Sequence, residues 1–422
     1  MTNEKQTCEN EKVKCGLIGK TLGHSYSPEI HALLGDYEYK LYEMPEDAVG
    51  DFLKNADYHA LNVTIPYKKT VMPFLDEISD EARRIGSVNT ITRTENGGLR
   101  GDNTDYYGFS YMIDRAGIEL SGKKVLILGS GGASMTARTV AADRGAGEIV
   151  IVSRSGEVNY ENIDSQSDCD VIINTTPVGM YPNAGVAPVS LELFPELSGV
   201  CDMIYNPATT AIVAQAKKRG IKAVTGLAML TAQAKMAAEL FTGRKISDDV
   251  LEGIIETVSR NKKNILLVGM PGSGKTTIGT QLAELTGRRF IDTDELIVER
   301  AGRSIPDIFK ERGEAAFREL ERDVISEVSQ LSTCVIATGG GAVVRTDNRD
   351  LLRQNSTVVF LRRDIAKLPK SGRPISQSRD LDELFAERLP MYTECADFEF
   401  AVESDDVREN AAAILRKAGF DL

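Results

Sequence analysis

One segment of the sequence has glycines, a lysine and a threonine at the spacing of a phosphate-binding loop. Residues 269–276 read Gly-Met-Pro-Gly-Ser-Gly-Lys-Thr and fit the pattern G-x-x-x-x-G-K-[ST] at every position. In such a loop, backbone N–H groups surround the phosphates, the lysine neutralises charge at the β/γ junction, and the hydroxyl ligates Mg²⁺. The residues predicted to hold the nucleotide are Gly272, Ser273, Gly274, Lys275, Thr276 and Thr277, with Thr276 also predicted as a metal ligand.

Two aspartates, Asp292 and Asp294, follow a predicted strand 17 and 19 residues after Lys275. One carboxylate of this kind holds Mg²⁺ through water, and the other accepts the proton of a reacting hydroxyl. We assign Asp292 to the metal and Asp294 to the proton. Helix capping is an alternative for one of the pair, because Asp292 and Thr293 precede a helical run.

A second glycine-rich turn lies between an apolar segment and a run of helix-forming residues. Gly129, Gly131, Gly132, Ala133 and Ser134 follow the apolar residues 125–128. Glycines here permit a tight turn and let backbone amides approach a pyrophosphate at a helix N-terminus. The pattern alone fits a structural turn equally well. The strand before it, the helix after it and a second strand ending at residue 153 favour a dinucleotide site.

The residues after that second strand are Ser153, Arg154 and Ser155. An acid at this place would bind the ribose 2′-hydroxyl of NAD, whereas an arginine pairs with the 2′-phosphate of NADP. The absence of an acid predicts NADP as the cofactor, with Ser153 and Arg154 at the ribose. A solvated arginine in a turn is the alternative.

Strands and helices alternate along the whole chain, which indicates an α/β protein. Strands are predicted over residues 16–19, 60–65, 125–129, 148–153, 171–174, 200–204, 265–269, 290–292, 334–338 and 357–361. Residues 207–242 are alanine-rich with helical spacing, and residues 248–260 form a further helical stretch. The polar, charged residues 261–264 place the main domain boundary near residue 262.

Composition excludes several classes of protein. Acids outnumber bases 62 to 50, and the resulting net charge of −12 argues against a nucleic-acid-binding protein. No apolar run reaches the roughly 18–20 residues of a membrane span, and the first 14 residues are too polar for a signal peptide. Six scattered cysteines and three histidines argue against a zinc site and suggest a reducing, cytoplasmic environment. These features do not predict an oligomeric state.

Residues 14–242 resemble shikimate dehydrogenase through six motifs in that family's order. The motifs occupy residues 23–28 (GHSYSP), 62–68 (NVTIPYK), 87–90 (SVNT), 101–105 (GDNTD), 202–207 (DMIYNP) and 226–233 (GLAMLTAQ). The resemblance implies that Lys68 and Asp105 are catalytic. It implies substrate binding by Ser25, Ser27, Asn62, Thr64, Asn89, Thr104, Tyr205 and Gln233, and adds Thr175, Gly226 and Met229 to the NADP site.

Residues 264–422 resemble shikimate kinase. Beyond the phosphate loop, the motifs occupy residues 290–294, 316–321, 339–341, 372–374 and 388–392. The resemblance implies that Lys275 and Asp294 are catalytic and that Arg373 contacts ATP from a lid. It implies substrate binding by Arg318, Gly339, Gly340, Gly341 and Arg388.

Several residues depart from the family patterns. Tyr106 follows the predicted catalytic aspartate where the dehydrogenases usually have glycine, and Ser153 replaces a common asparagine. Residues 135–136, Met-Thr, replace a frequent Arg-Gly. In the kinase half, the stretch between Arg363 and Arg373 is short for a mobile lid, which weakens the assignment of Arg373.

These resemblances imply three domains: a substrate-binding domain at residues 1–102 with return helices at about 236–260, a Rossmann-type NADP domain at residues 103–235, and a phosphate-loop kinase domain with a parallel sheet at residues 262–422. The implied function is reduction of 3-dehydroshikimate by NADPH to shikimate, followed by phosphorylation of shikimate by ATP and Mg²⁺ to shikimate 3-phosphate. The alternative is a quinate/shikimate dehydrogenase fused to a kinase-like metabolite sensor without turnover. The expected partners are small-molecule substrates, without nucleic acid or membrane.

Overall fold

The computed structural model describes residues 12–23, 25–368 and 380–420. Their contacts divide the chain into two compact units. The first unit comprises the residues up to Thr176, with Pro188–Met203 and Ala216–Val258; the second comprises Pro177–Ala187, Ile204–Gln215 and the residues from Ser259 onward. The three domain boundaries given above remain predictions. Arg373, predicted to contact ATP, lies outside the described residues.

The first sheet has six strands in the order β2-β1-β3-β5-β6-β4. It is mixed, because β1 pairs in parallel with β2 and β3, whereas β5 runs antiparallel to β3 and β6. Its core contains Ile18, Leu61, Val63 and Ile91, all 2 % exposed or less. The elements are β1 (Lys14–Gly19), α1 (Ser27–Leu34), β2 (Glu38–Glu43), α2 (Val49–Asn55), β3 (Ala60–Val63), β4 (Glu77–Ile78), α3 (Asp80–Ile85), β5 (Thr90–Arg93) and β6 (Leu99–Asp102).

The second sheet has five strands, all parallel, in the order β11-β10-β9-β7-β8. The chain passes from β7 to β8 on one side and returns to β9 on the other, and ligands of such sheets bind at the carboxyl ends beside this reversal. The elements are α4 (Asp105–Ala116), β7 (Lys124–Leu128), α5 (Gly132–Asp143), β8 (Glu148–Val152), β9 (Val171–Asn174), β10 (Gly199–Asp202), α6 (Ala211–Lys218), β11 (Lys222–Thr225), α7 (Leu227–Thr242) and α8 (Asp248–Lys262).

One sequence expectation in this region is wrong. The alanine-rich residues 207–242 are not uniformly helical, since β11 separates α6 from α7. Gly220 turns the chain with φ 71°, and β11 then pairs in parallel with β10 at the edge of the sheet. Pairing with a neighbouring strand overrides the helical composition here.

Helix α7 also supports the first sheet. Its residues Ala237, Ala238 and Phe241 pack in one buried cluster with Cys15 of β1 and Ala60 of β3. The chain therefore packs again against β1 and β3 after completing the second sheet.

The third sheet, in the second unit, has five parallel strands in the order β13-β14-β12-β15-β16. Its central strand β12 is buried along its whole length and leads into the phosphate-binding loop. The elements are β12 (Asn264–Val268), α9 (Lys275–Thr286), β13 (Arg289–Asp292), α10 (Thr293–Ala301), α11 (Ile305–Val328), β14 (Cys334–Ala337), α12 (Thr346–Gln354), β15 (Ser356–Arg362), α13 (Leu381–Cys395), β16 (Phe398–Ala401) and α14 (Val407–Lys417).

Helix α11 is interrupted at Gly313, whose φ of 78° and ψ of 174° are not helical.

The predicted α/β architecture with largely parallel sheets is confirmed. In the described part of the chain, no helix combines the length and the apolar character needed to cross a membrane.

Candidate active sites

A lysine and an aspartate form a close ion pair in the first unit. Lys68 lies in the loop after β3, and Asp105 begins α4. Lys68 Nζ lies 2.6 Å from Asp105 Oδ2, and the two side chains are 29 % and 16 % exposed. The Asp105 N–H donates to Asn103 Oδ1 at 3.1 Å, and the N-terminal end of α4 favours the carboxylate charge. The pair is thus held in place yet open to a ligand.

Beside this pair, Asn89 organises a buried group of polar side chains. Its Oδ1 accepts from the N–H of Thr104 at 2.8 Å and from the hydroxyls of Thr104 and Thr90 at 3.2 and 3.0 Å. The Thr104 hydroxyl also lies 3.3 Å from Gln233 Oε1. Because Oδ1 of Asn89 is fully occupied, its Nδ2 is the atom that remains to donate to a ligand.

The serine pair lies at the start of α1, and Asn62 lies on β3. The Ser27 N–H donates to Ser25 Oγ at 3.2 Å at the start of α1, which leaves the Ser25 hydroxyl hydrogen free to face an anion. Asn62 is 5 % exposed, and its Oδ1 accepts a hydrogen bond from the Tyr39 hydroxyl at 2.7 Å. Tyr39 received no role from the sequence. No motif names it, and only the pairing of β2 with β1 brings it to Asn62.

The remaining predicted substrate residues differ in placement. Thr64 follows β3, and its N–H donates to Ile18 O at 3.0 Å. Tyr205 lies in the segment Ile204–Gln215, which groups with the second unit, whereas the other predicted residues of this site belong to the first. Burial raises the pKa of the Tyr205 hydroxyl, so it is a neutral group at physiological pH.

The turn after β7 has the geometry of an anion-binding site. Gly129 has a φ of 103°, and a Cβ there would lie 2.8 Å from Thr175 Oγ1, so only glycine fits. Gly131, Gly132 and Ala133 are exposed, and nothing lies within 4 Å of a Cβ built on either glycine. No side chain caps α5, so its first N–H groups are available to a pyrophosphate. The Ser134 N–H bonds instead to Gly131 O at 3.1 Å.

The predicted ribose site lies after β8. Arg154 is exposed and forms no ion pair with any described residue, while Ser153 is half-buried, and its N–H donates to Val158 O at 3.2 Å. An unpaired guanidinium is a suitable partner for a phosphate. Thr175 closes the turn from β9, because both its N–H and its hydroxyl donate to Leu128 O, at 2.9 and 2.7 Å.

Two further predicted cofactor residues lie where α7 begins. Gly226 has a reason of its own to be glycine, since a Cβ there would lie 2.1 Å from Met203 O. Met229 is half-buried, and its carbonyl oxygen approaches α4 at Gly108, where a Cβ would lie 2.6 Å away. Close packing explains the glycines at positions 108 and 226, so the glycine at position 226 does not by itself indicate a cofactor.

In the second unit, most predicted kinase residues line one cavity of about 680 Å³. Ser273 is the exception, because it is fully buried behind the loop. The lining includes the predicted residues Gly272, Gly274, Lys275, Thr276, Thr277, Asp292, Asp294, Arg318, Gly339, Gly340, Gly341 and Arg388. The cavity therefore joins the predicted nucleotide and substrate sites.

The phosphate-binding loop is held in shape by its own lysine. Lys275 Nζ donates to Gly269 O and Met270 O, each at 2.9 Å, and the residue is 8 % exposed. Gly272 and Gly274 have φ values of 87° and 99°, which non-glycine residues rarely adopt. Lys275 thus ties the loop to two of its own carbonyl oxygens, and the loop leads directly into the N-terminus of α9.

The two predicted metal ligands touch each other. The Thr276 hydroxyl donates to Asp292 Oδ2 at 2.8 Å, while Asp292 Oδ1 accepts from the Asp294 N–H at 2.9 Å and caps α10. The two oxygens of Asp292 have different partners, so its role in capping α10 does not exclude a role in metal binding. No cluster of three acidic, histidine or cysteine side chains suited to a metal occurs in the described ranges. Two oxygens are enough for Mg²⁺, which keeps several waters and phosphate ligands.

Arg318 is buried among carboxylates. Its Nη1 donates to Glu321 Oε2 at 2.8 Å and its Nη2 to Glu314 Oε1 at 2.9 Å. The spacing of Arg318 from Glu314 (i−4) and Glu321 (i+3) alone predicts a weak helix-surface ion pair as the alternative to substrate binding. Both ion pairs form, yet Glu321 is 1 % exposed and Arg318 8 %. Burial raises the pKa of Glu321 despite the adjacent guanidinium. Glu321 is a residue of the site to which sequence reasoning gave no role.

Of the three glycines before α12, two make room for a site residue and the third accepts a hydrogen bond from one. A Cβ at Gly339 would lie 2.5 Å from Asp294 Oδ1, and one at Gly341 would lie 2.3 Å from Arg318 Nη1. Arg388, 4 % exposed, donates from Nη1 to Gly340 O at 3.0 Å. The glycines thus set the positions of the predicted base and of both predicted carboxylate-binding arginines.

Two segments of the chain match family models. The model of the shikimate dehydrogenase substrate binding domain matches residues 17–91, and the shikimate kinase model matches residues 271–418. Both matches cover sites built above from geometry.

Relatives and solved structures match the dehydrogenase part. A shikimate dehydrogenase (NADP(+)) from Clostridium perfringens (strain SM101 / Type A) is 38 % identical over 262 residues, which cover 57 % of this chain and 96 % of the relative. A chorismate mutase/shikimate 5-dehydrogenase fusion protein from Clostridium acetobutylicum is 38 % identical, with a TM-score of 0.56, over 58 % of this chain and 97 % of that one. Shikimate 5-dehydrogenase from Thermus thermophilus, in complex with NADP(H) and shikimate, is 30 % identical, with a TM-score of 0.53, over 58 % and 99 %.

Proposed function

The chain belongs to the shikimate dehydrogenase family and carries a shikimate kinase segment, and from this premise we propose that it catalyses two consecutive reactions. The first reduces 3-dehydroshikimate to shikimate with NADPH. The second transfers the γ-phosphoryl group of ATP to the 3-hydroxyl of shikimate and yields shikimate 3-phosphate. The hydroxyl made by the first reaction is the nucleophile of the second.

The observation that carries the first activity is the 2.6 Å pair of Lys68 and Asp105 beside the buried polar group of Asn89. Bound NADPH supplies the hydride to the C3 carbonyl. The carbonyl oxygen then gains negative charge and takes up a proton. Lys68 stabilises that charge and donates the proton, and Asp105 fixes the position of the ammonium group. The exposed guanidinium of Arg154 pairs with the 2′-phosphate and selects NADPH over NADH.

The observation that carries the second activity is the single cavity that contains the phosphate loop, Asp294 and two buried arginines. Bound ATP with Mg²⁺ would supply the phosphoryl group. The side-chain oxygens of Thr276 and Asp292 are suited to hold the metal. Arg318 and Arg388 hold the substrate carboxylate, and Asp294 orients the 3-hydroxyl and accepts its proton. Lys275 neutralises charge on the transferred group.

Two assays on the purified chain test these activities separately. In one, shikimate and NADP⁺ should give NADPH, observed by absorbance; in the other, shikimate with ATP and Mg²⁺ should give ADP. A chain that reduces NADP⁺ with quinate as readily as with shikimate, and forms no ADP, would instead support the dehydrogenase fused to a non-catalytic sensor. The presence of Lys275, Thr276, Asp292 and Asp294 in one cavity favours turnover.

We also propose that the protein works in the cytoplasm on small molecules alone. Support comes from its five described cysteines, which are free and buried, as expected in a reducing compartment. The measurement is the distribution of both activities between the cytosolic and membrane fractions of the cell.

A further inference from the structure

A series of hydrogen-bonded polar groups runs beneath the dehydrogenase site, from Tyr39 towards the predicted catalytic aspartate. At one end, the Tyr39 hydroxyl donates to Asn62 Oδ1. At the other, Asn89 Oδ1 accepts from the Thr104 backbone N–H, next to Asp105. Tyr39 and Asn62 lie on strands β2 and β3 on either side of β1, so the order of the strands brings them together.

The Tyr39 hydroxyl begins this series. It donates to Asn62 Oδ1 at 2.7 Å. Burial raises the pKa of Tyr39 well above its ordinary value, so the phenol keeps its proton for this bond. Its ring stacks on the buried His31 ring, with centroids 3.9 Å apart and planes 11° from parallel. The ring is therefore held in place, with the hydroxyl directed at Asn62.

The hydrogen bond from Tyr39 decides which way the Asn62 amide faces. With Oδ1 occupied by the tyrosine, Nδ2 lies 3.4 Å from Asn89 O and 3.3 Å from Thr90 Oγ1. The Thr90 hydroxyl in turn donates to Asn89 Oδ1 at 3.0 Å. Every polar atom of the Asn62 side chain is thus engaged within the protein, and its 5 % exposure leaves little surface for a substrate.

We propose that Tyr39 is a positioning residue of the dehydrogenase, which acts through Asn62 on the hydroxyl-binding group of Asn89. This inference rests on the proposed dehydrogenase function and assigns Asn62 an indirect role. Removing the Tyr39 hydroxyl leaves a buried amide oxygen without its donor, and the Asn62 amide is then no longer held towards Asn89 and Thr90. The loss falls on substrate binding, because neither Asn62 nor Asn89 is a predicted residue of the NADP site.

The chain offers a matched control in Tyr37. It is also buried, and its hydroxyl lies 2.6 Å from Nδ1 of the same His31, but no hydrogen bond joins it to Asn62 or Ser27 in the described structure. The experiment compares Tyr39→Phe with Tyr37→Phe in the full-length chain. The kinetic constants for shikimate and NADP⁺ are measured, with thermal stability and kinase activity as checks on folding.

We expect Tyr39→Phe to raise the KM for shikimate about tenfold, the size of one neutral hydrogen bond, with the KM for NADP⁺ within twofold. Tyr37→Phe should leave both KM values within twofold. Adding Tyr39→Phe to Asn62→Ser should raise KM less than the product of the single effects, because both substitutions break the same hydrogen bond. Should Tyr39→Phe fail to fold, Asn62→Ser breaks the same connection and should give the same selective rise in KM.

Equal effects of Tyr39→Phe and Tyr37→Phe on the KM for shikimate would overturn the inference, as would a loss confined to stability. Full additivity with Asn62→Ser would overturn it as well. Absence of shikimate-dependent NADP⁺ reduction by the unsubstituted chain would instead count against the proposed dehydrogenase function, so the two failures are distinguishable.

Discussion

The two predicted substrate sites hold their positive charges in opposite ways. Lys68 shares one aspartate and keeps 29 % of its side chain exposed. Arg318 is enclosed by Glu314 and Glu321, and the second of these carboxylates is buried. An accessible ammonium beside a single carboxylate suits a group that must exchange a proton, whereas an enclosed guanidinium suits a fixed anchor. The difference assigns chemistry to the lysine and binding to the arginine.

The two glycine-rich turns differ in a similar way. Residues 130–133 of the first turn are exposed, and no side chain caps the helix that follows. The loop at residues 269–276 is closed by Lys275 on two of its carbonyls. The first turn contains no charged side chain, so the predicted choice of its ligand rests on Arg154, whereas the second loop contains Lys275.

Lys68→Ala is the strongest test of the contrast between a lysine that exchanges a proton and an arginine that only binds the substrate. Loss of the proton donor should lower the dehydrogenase kcat by about 10²–10⁴-fold, and kinase activity in the same preparation should stay within twofold. The neighbouring exposed lysine provides a control, since Lys69→Ala should change neither rate more than twofold. A parallel loss of both activities in folded Lys68→Ala protein would contradict two separate sites.

The contrast between the two glycine turns is tested by Arg154→Ala. We expect selective weakening of NADPH binding by up to about 3 kcal/mol, the value of a charge-assisted hydrogen bond, with NADH binding little changed. Binding constants for both cofactors by fluorescence titration give the answer. Arg244→Ala removes another exposed arginine and should have no effect. Equal weakening of both cofactors would mean that Arg154 does not contact the 2′-phosphate.

The anchoring role of Arg318 is tested without removing its charge by Gly341→Ala. The new methyl group would stand 2.3 Å from Arg318 Nη1, so the guanidinium must shift. We expect the kinase KM for shikimate to rise about tenfold, as for one misplaced hydrogen bond, with the dehydrogenase KM unchanged. Gly253→Ala on α8 meets no atom within 4 Å and is the control. An unchanged kinase KM would show that Arg318 does not hold the carboxylate.

A stability measurement at two pH values distinguishes the first unit from the second. Burial lowers the pKa of His31 to about 3, whereas the unfolded chain takes up this proton below about pH 6.5. Stability from the neutral imidazole is therefore complete above pH 6.5 and declines as the pH falls towards 3. Between pH 7 and 5 the free energy of unfolding should fall by about 2 kcal/mol more than in His31→Gln.

Urea unfolding followed by circular dichroism at the two pH values measures this difference. All three histidines precede residue 60, so the second unit contains none. Equal pH dependence in His31→Gln and the unsubstituted chain would show that His31 does not contribute to the acid sensitivity of the first unit.

The sequence predicted the strands themselves better than it predicted which strands lie next to each other. The apolar runs at residues 125–129 and 265–269 became the buried strands β7 and β12, since such runs have few other ways to be buried. The sequence assigned Thr276 and Asp292 to one metal site, and their side chains lie 2.8 Å apart, although it did not predict the hydrogen bond between them. Tyr39 could not be found this way. Its contact with Asn62 depends on β1 lying between β2 and β3, and strand order is not written in either segment.

The central claim is that one chain makes shikimate and then phosphorylates it, and a single coupled reaction tests it. The full-length chain is incubated with 3-dehydroshikimate, NADPH, ATP and Mg²⁺, and NADPH oxidation, ADP and the final product are measured together. We predict equal amounts of NADP⁺, ADP and shikimate 3-phosphate, and with Lys275→Ala an accumulation of shikimate with NADP⁺ but no ADP. NADPH oxidation by the unsubstituted chain without formation of ADP would contradict the account.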